Sequence, residues 1–288
     1  MTQTTALPNR HRTLWISDVH LGSPGCKAAR LAEFLKNNDC EQLYLVGDIL
    51  DGWKLKSNFF WAPEHSLVIR RILTKARRGT RVEYLAGNHD GFLRQFVQTR
   101  LRLGRIRLGR EAVHITASGK RLLVTHGDRF DSVVNRFPHL ALAADYGYDR
   151  LMKVSDRINR VRQRFGLPED SISARVKTRV KAAVQFLSGF DEAVMHECRR
   201  KGYDGVICGH THHAEIRHIR GGVNSYNCGD WVESCTALAE DFNGVIRILE
   251  YPRRADSLTV RPLWRRPPAL AAPAPRELPV SVPDRKRA

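Results

Sequence analysis

Short runs of β-branched and aliphatic residues alternate along the chain with longer stretches in which apolar positions recur every three or four residues. The runs at 13–16, 42–46, 81–85, 112–116, 121–125, 205–208 and 245–251 predict strands. Between the first three, residues 27–38 carry Ala28, Leu31, Ala32 and Leu35 on one stripe, and 63–78 carry Leu67, Ile69, Ile72 and Leu73, which predicts two amphipathic helices. Strand–helix–strand units at this spacing imply an α/β fold with a sheet covered on both faces. The later strands follow one another without long helices, so antiparallel members and a mixed two-sheet sandwich are expected.

The stretch from about 137 to 201 breaks this alternation. There Leu151, Val154, Ile158, Val161 and Phe165, and after a Gly166-Leu167-Pro168 break Ile172, Val176, Val180, Val184 and Leu187, keep helical spacing and predict a helical insertion. From Arg150 to Lys201 there are 13 Lys+Arg against 6 Asp+Glu, a net of +7. Two readings fit: the solvated faces of a packed helical pair, or a basic lid over an anionic substrate or lipid headgroups. Beyond Trp264 the seven prolines between Pro262 and Pro283 leave little to bury, so 265–288 is expected to be a disordered Pro/Ala/Arg tail. The expected domain is 10–264, interrupted by the insertion.

Composition narrows the partners. Lys and Arg number 48 against 30 Asp and Glu, and the net charge of +18 favours phosphates, nucleic acid or an anionic membrane surface. The six cysteines, Cys26, Cys40, Cys198, Cys208, Cys228 and Cys235, form no CxxC pair, which fits reduced thiols in a cytoplasmic protein better than a disulfide scaffold or a zinc ribbon. Cys208 is expected in a buried strand, and Cys228 and Cys235 as small packing residues. The first residues lack the apolar stretch of a secretory leader, and no apolar run approaches the length of a membrane span.

Chemistry concentrates in five segments at or beyond predicted strand ends: Asp18-Val19-His20, Gly47-Asp48-Ile49-Leu50-Asp51, Gly87-Asn88-His89-Asp90, Thr125-His126-Gly127-Asp128 and Gly209-His210-Thr211-His212. Strand ends of an open α/β sheet are where sites assemble. Asp18 and His20, two residues apart, are expected to project to one side and grip one ion, and His210 and His212 to repeat that geometry from another strand. Carboxylate, amide and imidazole together suit Mn, Fe or Zn better than Mg or Ca. Asp90 and Asp128 either support the ligands from behind or are simply turn residues, and the turn reading is preferred.

In order and spacing these segments resemble the motifs of the calcineurin-like metallophosphoesterases, DxH, GDxxD, GNH(D/E), a histidine motif and GHxH, over about 230 residues. The resemblance implies a four-layer α/β/β/α sandwich with two divalent metal ions, manganese by preference and iron or zinc as alternatives. It implies that Asp18, His20, Asp48 and His212 bind the first ion, and Asp48, Asn88, His126 and His210 the second, with Asp48 shared. It also implies hydrolysis of a phosphoester or phosphoanhydride by metal-activated water, with His89 beside the phosphate and Asp51 orienting its ring.

For the substrate, three enzymatic readings compete. In the protein Ser/Thr phosphatases of that family the second motif continues into an arginine, whereas here Gly52 and Trp53 follow Asp51. A nuclease or general phosphodiesterase would exploit the positive charge, though no nucleic-acid-binding module is recognisable. The third reading rests on Gly47–Trp53, the helical insertion and Gly229-Asp230-Trp231-Val232-Glu233, which look like bacterial UDP-2,3-diacylglucosamine pyrophosphatases of lipid A synthesis; His89 stands where the best-known branch has Arg, so the resemblance is to a sibling branch. That reading implies a UDP-sugar lipid substrate and peripheral contact with the anionic inner membrane. A non-catalytic metal-binding scaffold is the remaining alternative, and the completeness of the seven-residue ligand set counts against it.

Overall fold

A computed structural model describes residues 9–97, 102–130, 189–219, 221–251 and 259–260. The helices expected over 151–187 and the tail at 265–288 lie outside these residues. In chain order the elements are β1 (Asn9–Ile16), α1 (Ala28–Asn37), β2 (Asn38–Val46), α2 (Gly52–Ser57), α3 (Pro63–Arg77), β3 (Arg81–Leu85), α4 (Arg94–Val97), β4 (Arg102–Leu103), β5 (Ile106–Gly109), β6 (Glu111–Ile115) and β7 (Arg121–Thr125). There follow α5 (Phe190–Lys201), β8 (Gly205–Cys208), β9 (Glu215–Ile219), β10 (Val223–Asn227), β11 (Thr236–Glu240), β12 (Ile246–Glu250) and β13 (Thr259–Val260).

Two mixed sheets result. The larger runs β13-β12-β11-β1-β2-β3-β5-β4 and the smaller β6-β7-β8-β10-β9. The centre of the larger is parallel, β1 to β2 to β3 to β5, and so is the centre of the smaller, β7 to β8 to β10. The antiparallel partners come from the late strands, as expected: β11 pairs with β1 and with β12, and β9 with β10.

The layers follow from the two-residue period of a strand. Leu14 and Ile16 of β1, and Leu43 and Leu45 of β2, face the layer of α1 and α3, where they meet Leu31, Phe34, Leu35, Val68 and Ile72. The intervening Trp15, Tyr44 and Val46 turn the other way and meet Leu122, Val124 and Ile207 of the smaller sheet. Leu123, Val206 and Cys208 then face α5 through Phe190, Val194 and Cys198. Strands buried on both faces cannot alternate apolar with polar, which is why they read as continuous apolar runs. Residues 190–201, assigned from sequence to the insertion, thus form the outer helix of the sandwich.

Helix ends are set locally. Pro63 opens α3 with Glu64 in its first turn, and Lys75 and Arg77 close it. Gly202, in the left-handed region at φ 66°, ends α5. Asp51 caps α2 by accepting from the Lys54 N–H at 3.0 Å.

One buried carboxylate joins the two sheets. Glu240 on β11 is fully buried; its Oε2 accepts from Arg12 Nη1 (2.6 Å) and Thr13 Oγ1 (3.0 Å) and lies 2.9 Å from His114 Nε2, and its Oε1 accepts from the Ala117 N–H (2.7 Å). Burial alone would raise its pKa, but bonds from His114, the Ala117 amide and Arg12 hold it below the ordinary glutamate value of 4.5. A depressed carboxyl contributes stability above its unfolded value that is lost as pH falls through the folded one. Glu240→Gln is therefore expected to cost about 3 kcal/mol at neutral pH and to flatten the loss of stability below pH 4.5, as measured by urea unfolding between pH 3 and 7.

Candidate metal centre

All five chemistry-bearing segments meet at the carboxyl ends of the central parallel strands. Asp18 and His20 follow β1, Asp48 and Asp51 follow β2, Asn88 and His89 follow β3, His126 follows β7, and His210 and His212 follow β8. The β1–β2 ladder continues beyond the strands: Asp18 N donates to Gly47 O (3.1 Å), Val19 N and His20 N to Asp48 O (3.0 and 2.9 Å), and Leu21 N to Ile49 O (2.9 Å). Gly209 N donates to His126 O (3.0 Å), His210 N to Asp18 Oδ2 (2.9 Å), and His89 N to Asp48 Oδ1 (2.8 Å). The loops are therefore tied to one another before any ligand is considered.

The backbone at the site is strained. Asp18, His20, Asp48, His210 and His212 all have positive φ, between 50° and 66°. A non-glycine residue there costs on the order of 1 kcal/mol and persists only where the surroundings enforce it. Space is equally constrained: a Cβ on Gly87 would collide with Asp48 Oδ1, and one on Gly209 with Asp18 Oδ2.

The donor atoms converge in three groups whose members lie within 4.8 Å of one another: Asp18, His20 and His212; Asp18, Asp48 and His126; and His20, Asp51 and His89. His212 Nε2 lies 3.1 Å from Asp18 Oδ1, and His126 Nε2 lies 3.2 Å from Asp48 Oδ2 and 3.1 Å from Asn88 Oδ1. His210 and His212 do not grip together as their spacing predicts. The ring of His212 stacks near His20, at 5.3 Å between centroids, while His210 sits 5.2 Å from His126. Left-handed backbone at both residues, in place of extended strand, accounts for the divergence.

His89 is held from two sides. Its Nδ1 is 3.2 Å from Asp51 Oδ1, and its ring lies against Trp53 at 3.9 Å between centroids. Asp51 also faces His20 Nδ1 through its other oxygen, at 3.5 Å. Gly52 is obligatory here, since a Cβ would come within 2.8 Å of both the His89 carbonyl and the Phe92 ring. An arginine at this position would not fit the same backbone.

The electrostatics favour a cation. Burial would lower His20, yet Asp51, Asp48 and Asp18 raise it to about 9, and His126 rises against burial to about 10, chiefly through Asp48. Burial would raise Asp18 and Asp48, but the neighbouring imidazoles hold both carboxyls well below the usual range. His20 Nε2 is buried and makes no hydrogen bond, with Asp18 Oδ1 4.0 Å away. Buried polar atoms rarely remain so without an ion or water between them. Imidazole nitrogens, carboxylates and an amide oxygen around such atoms fit a borderline divalent metal.

The contacts of three residues named in the sequence reading were not foreseen there. Trp53 forms one wall of His89. Asp90, read as a turn residue, is fully buried and joins the second and third motif loops, accepting from Ile49 N (2.9 Å), Gly87 N (2.5 Å) and Tyr84 Oη (2.6 Å). Asp230 lies behind His212, its Oδ2 3.6 Å from Nδ1; its only signal in sequence was a Gly-Asp pair like Gly47-Asp48. Asp128 ion-pairs with Arg94 at 2.7 Å. Trp231 is core, packed on Phe34 at 5.1 Å, and Cys208, Cys228 and Cys235 are buried packing thiols.

Comparison with known proteins finds one family match and a set of distant relatives. The family model for calcineurin-like phosphoesterase matches residues 11–214. A UDP-2,3-diacylglucosamine hydrolase of Xanthomonas oryzae pv. oryzae is 25% identical over 245 residues, 81% of this chain and 96% of that protein. One from Edwardsiella ictaluri is 24% identical over 261 residues, 86% of this chain and 96% of its own. Among solved structures, a dimetal phosphatase from Danio rerio is 13% identical, covering 86% of this chain and 97% of that one with a TM-score of 0.41.

Asp90→Ala strands two buried backbone donors and the half-buried Tyr84 hydroxyl, and we expect it to destabilise the protein by about 3 kcal/mol. Tyr84→Phe, which removes one of them, is expected to cost about 1 kcal/mol. Chemical denaturation of the two variants side by side measures both.

Proposed function

The chain belongs to the calcineurin-like phosphoesterase family, and on that premise we propose that it hydrolyses the pyrophosphate bond of a UDP-2,3-diacylglucosamine-type lipid, releasing UMP and the lipid 1-phosphate. The observation that carries this reading is the agreement of long-range relatives on one activity: the Xanthomonas and Edwardsiella hydrolases are each matched over 96% of their length. The glycine required at position 52 supports it from the other side, because it leaves no place for the arginine of the protein phosphatases.

We assign Asp18, His20, Asp48 and His212 to one divalent ion and Asp48, Asn88, His126 and His210 to a second, with manganese as the proposed metal. The convergence of Asp18, His20, Asp48, His126 and His212 and the unpaired His20 Nε2 support the assignment. Bound there, the ions supply Lewis acidity toward phosphoryl oxygens and activation of the attacking water. His89 is the residue placed to hydrogen-bond the phosphate or protonate the leaving oxygen, with Asp51 and Trp53 holding its ring. The phosphoesterase domain spans 10–264, the insertion precedes α5, and 265–288 is a tail.

A protein with a net charge of +18 attracts both the anionic headgroup and the surface that carries it, so we place the enzyme in the cytoplasm, in peripheral contact with the inner membrane. Among the described residues no helix is long and apolar enough to cross a membrane.

The deciding assay compares manganese-loaded protein on UDP-2,3-diacylglucosamine, single-stranded DNA and an aryl phosphodiester. UMP release from the lipid is expected to exceed the other two, and preferential cleavage of DNA overturns the reading in favour of a nuclease. Chelation should abolish turnover and added Mn²⁺ restore it. Asp48→Ala is expected to be inactive with unchanged circular dichroism, and His89→Ala to lose about 10²–10⁴ in kcat.

A further inference from the structure

Behind His212 stands a buried carboxylate outside every motif assigned above to metal binding. Asp230 follows β10 on the Gly229-Asp230 turn and is 1% exposed. Its Oδ1 accepts three backbone N–H groups, from Val232 (2.9 Å), Glu233 (2.6 Å) and Ser234 (3.0 Å), so the carboxylate is fixed by its own loop. Its Oδ2 faces His212 Nδ1 at 3.6 Å, on the side of the ring opposite the Nε2 that approaches Asp18. The two loops are also joined directly, Trp231 N donating to Asp18 O at 3.0 Å.

An imidazole that coordinates through one nitrogen carries its proton on the other, and the group accepting that proton sets the ring's tautomer and orientation. We infer that Asp230 is a positioning residue of this centre, keeping the proton of His212 on Nδ1 and its Nε2 lone pair directed at the ion. His20 has the equivalent arrangement with Asp51 at 3.5 Å, whereas His126 Nδ1 lies 3.0 Å from the Val46 carbonyl. The inference rests on the reading of His212 as a ligand.

Asp230→Asn separates the two duties of the side chain. An amide oxygen can still accept the three loop N–H groups, but an NH₂ turned toward Nδ1 drives the imidazole proton to Nε2, where it blocks coordination. Calorimetric titration of metal-free protein with Mn²⁺ is expected to show one of two binding events weakened about 10–100-fold, with the melting temperature of the metal-free protein unchanged. Ser234→Ala removes a hydroxyl bonded to the Asp230 N–H (3.2 Å) without touching the carboxylate, and is expected to bind like the parent. Unchanged affinity in Asp230→Asn overturns the inference, and so does an equal loss in Ser234→Ala, which would make the effect one of loop integrity. If Asp230→Asn does not fold, nitrogen-15 spectra of the zinc-loaded parent decide: a slowly exchanging His212 Nδ1–H is expected, and its absence overturns the inference. A parent protein that takes up no divalent ion removes the ligand assignment instead, and a parent that takes up two while Asp230→Asn binds equally well leaves that assignment standing without this one.

Discussion

The backbone hydrogen bonds that run past the end of the β1–β2 ladder are the constraint from which the site follows. They hold the chain at Asp18, His20 and Asp48 in left-handed conformations that these residues would not adopt alone, and the loop after β8 enforces the same at His210 and His212. Each enforced turn swings a donor inward over the edge of the sheets. The cost of those conformations is met by the packing of the strands beneath, so the rigidity of the sandwich becomes the preorganisation of the centre.

The charge distribution has two scales. At long range the chain is strongly basic, which suits an anionic substrate. At the centre itself Asp18, Asp48 and Asp51 are buried together, and the imidazoles draw protons to balance them. A phosphate brought in by the outer field would be repelled by bare carboxylates. Cations bound at the cluster would resolve that conflict and present a positive face to an anion.

The same economy of parts recurs around the centre. Asp51 caps α2, faces His89 with one oxygen and faces His20 with the other. Asp90 binds two loops and a tyrosine, and Asp230 anchors its own turn while facing His212. Glycines at 52, 87 and 209 leave the room these contacts occupy. Residues that look like ordinary turn chemistry in one dimension therefore act as struts between loops far apart in sequence.

The linear sequence determined the strands buried on both faces and the donor segments that follow them. Arg121–Thr125 and Gly205–Cys208 were legible to the residue, because their β-branched and aliphatic runs have no other stable home, and Arg81–Leu85 was legible from Val82, Tyr84 and Leu85 between a helix and a Gly-Asn turn. Ile106–Gly109, Val223–Asn227 and Thr236–Glu240 were not, since Gly, Asn, Ser and Glu within them become strand only when neighbouring strands supply hydrogen-bond partners. The sequence named the chemistry, while the tertiary structure decided which donor met which. Spacing alone would have paired His210 with His212, and it was the left-handed backbone, imposed by contacts some 190 residues away at Asp18, that sent them to different neighbours.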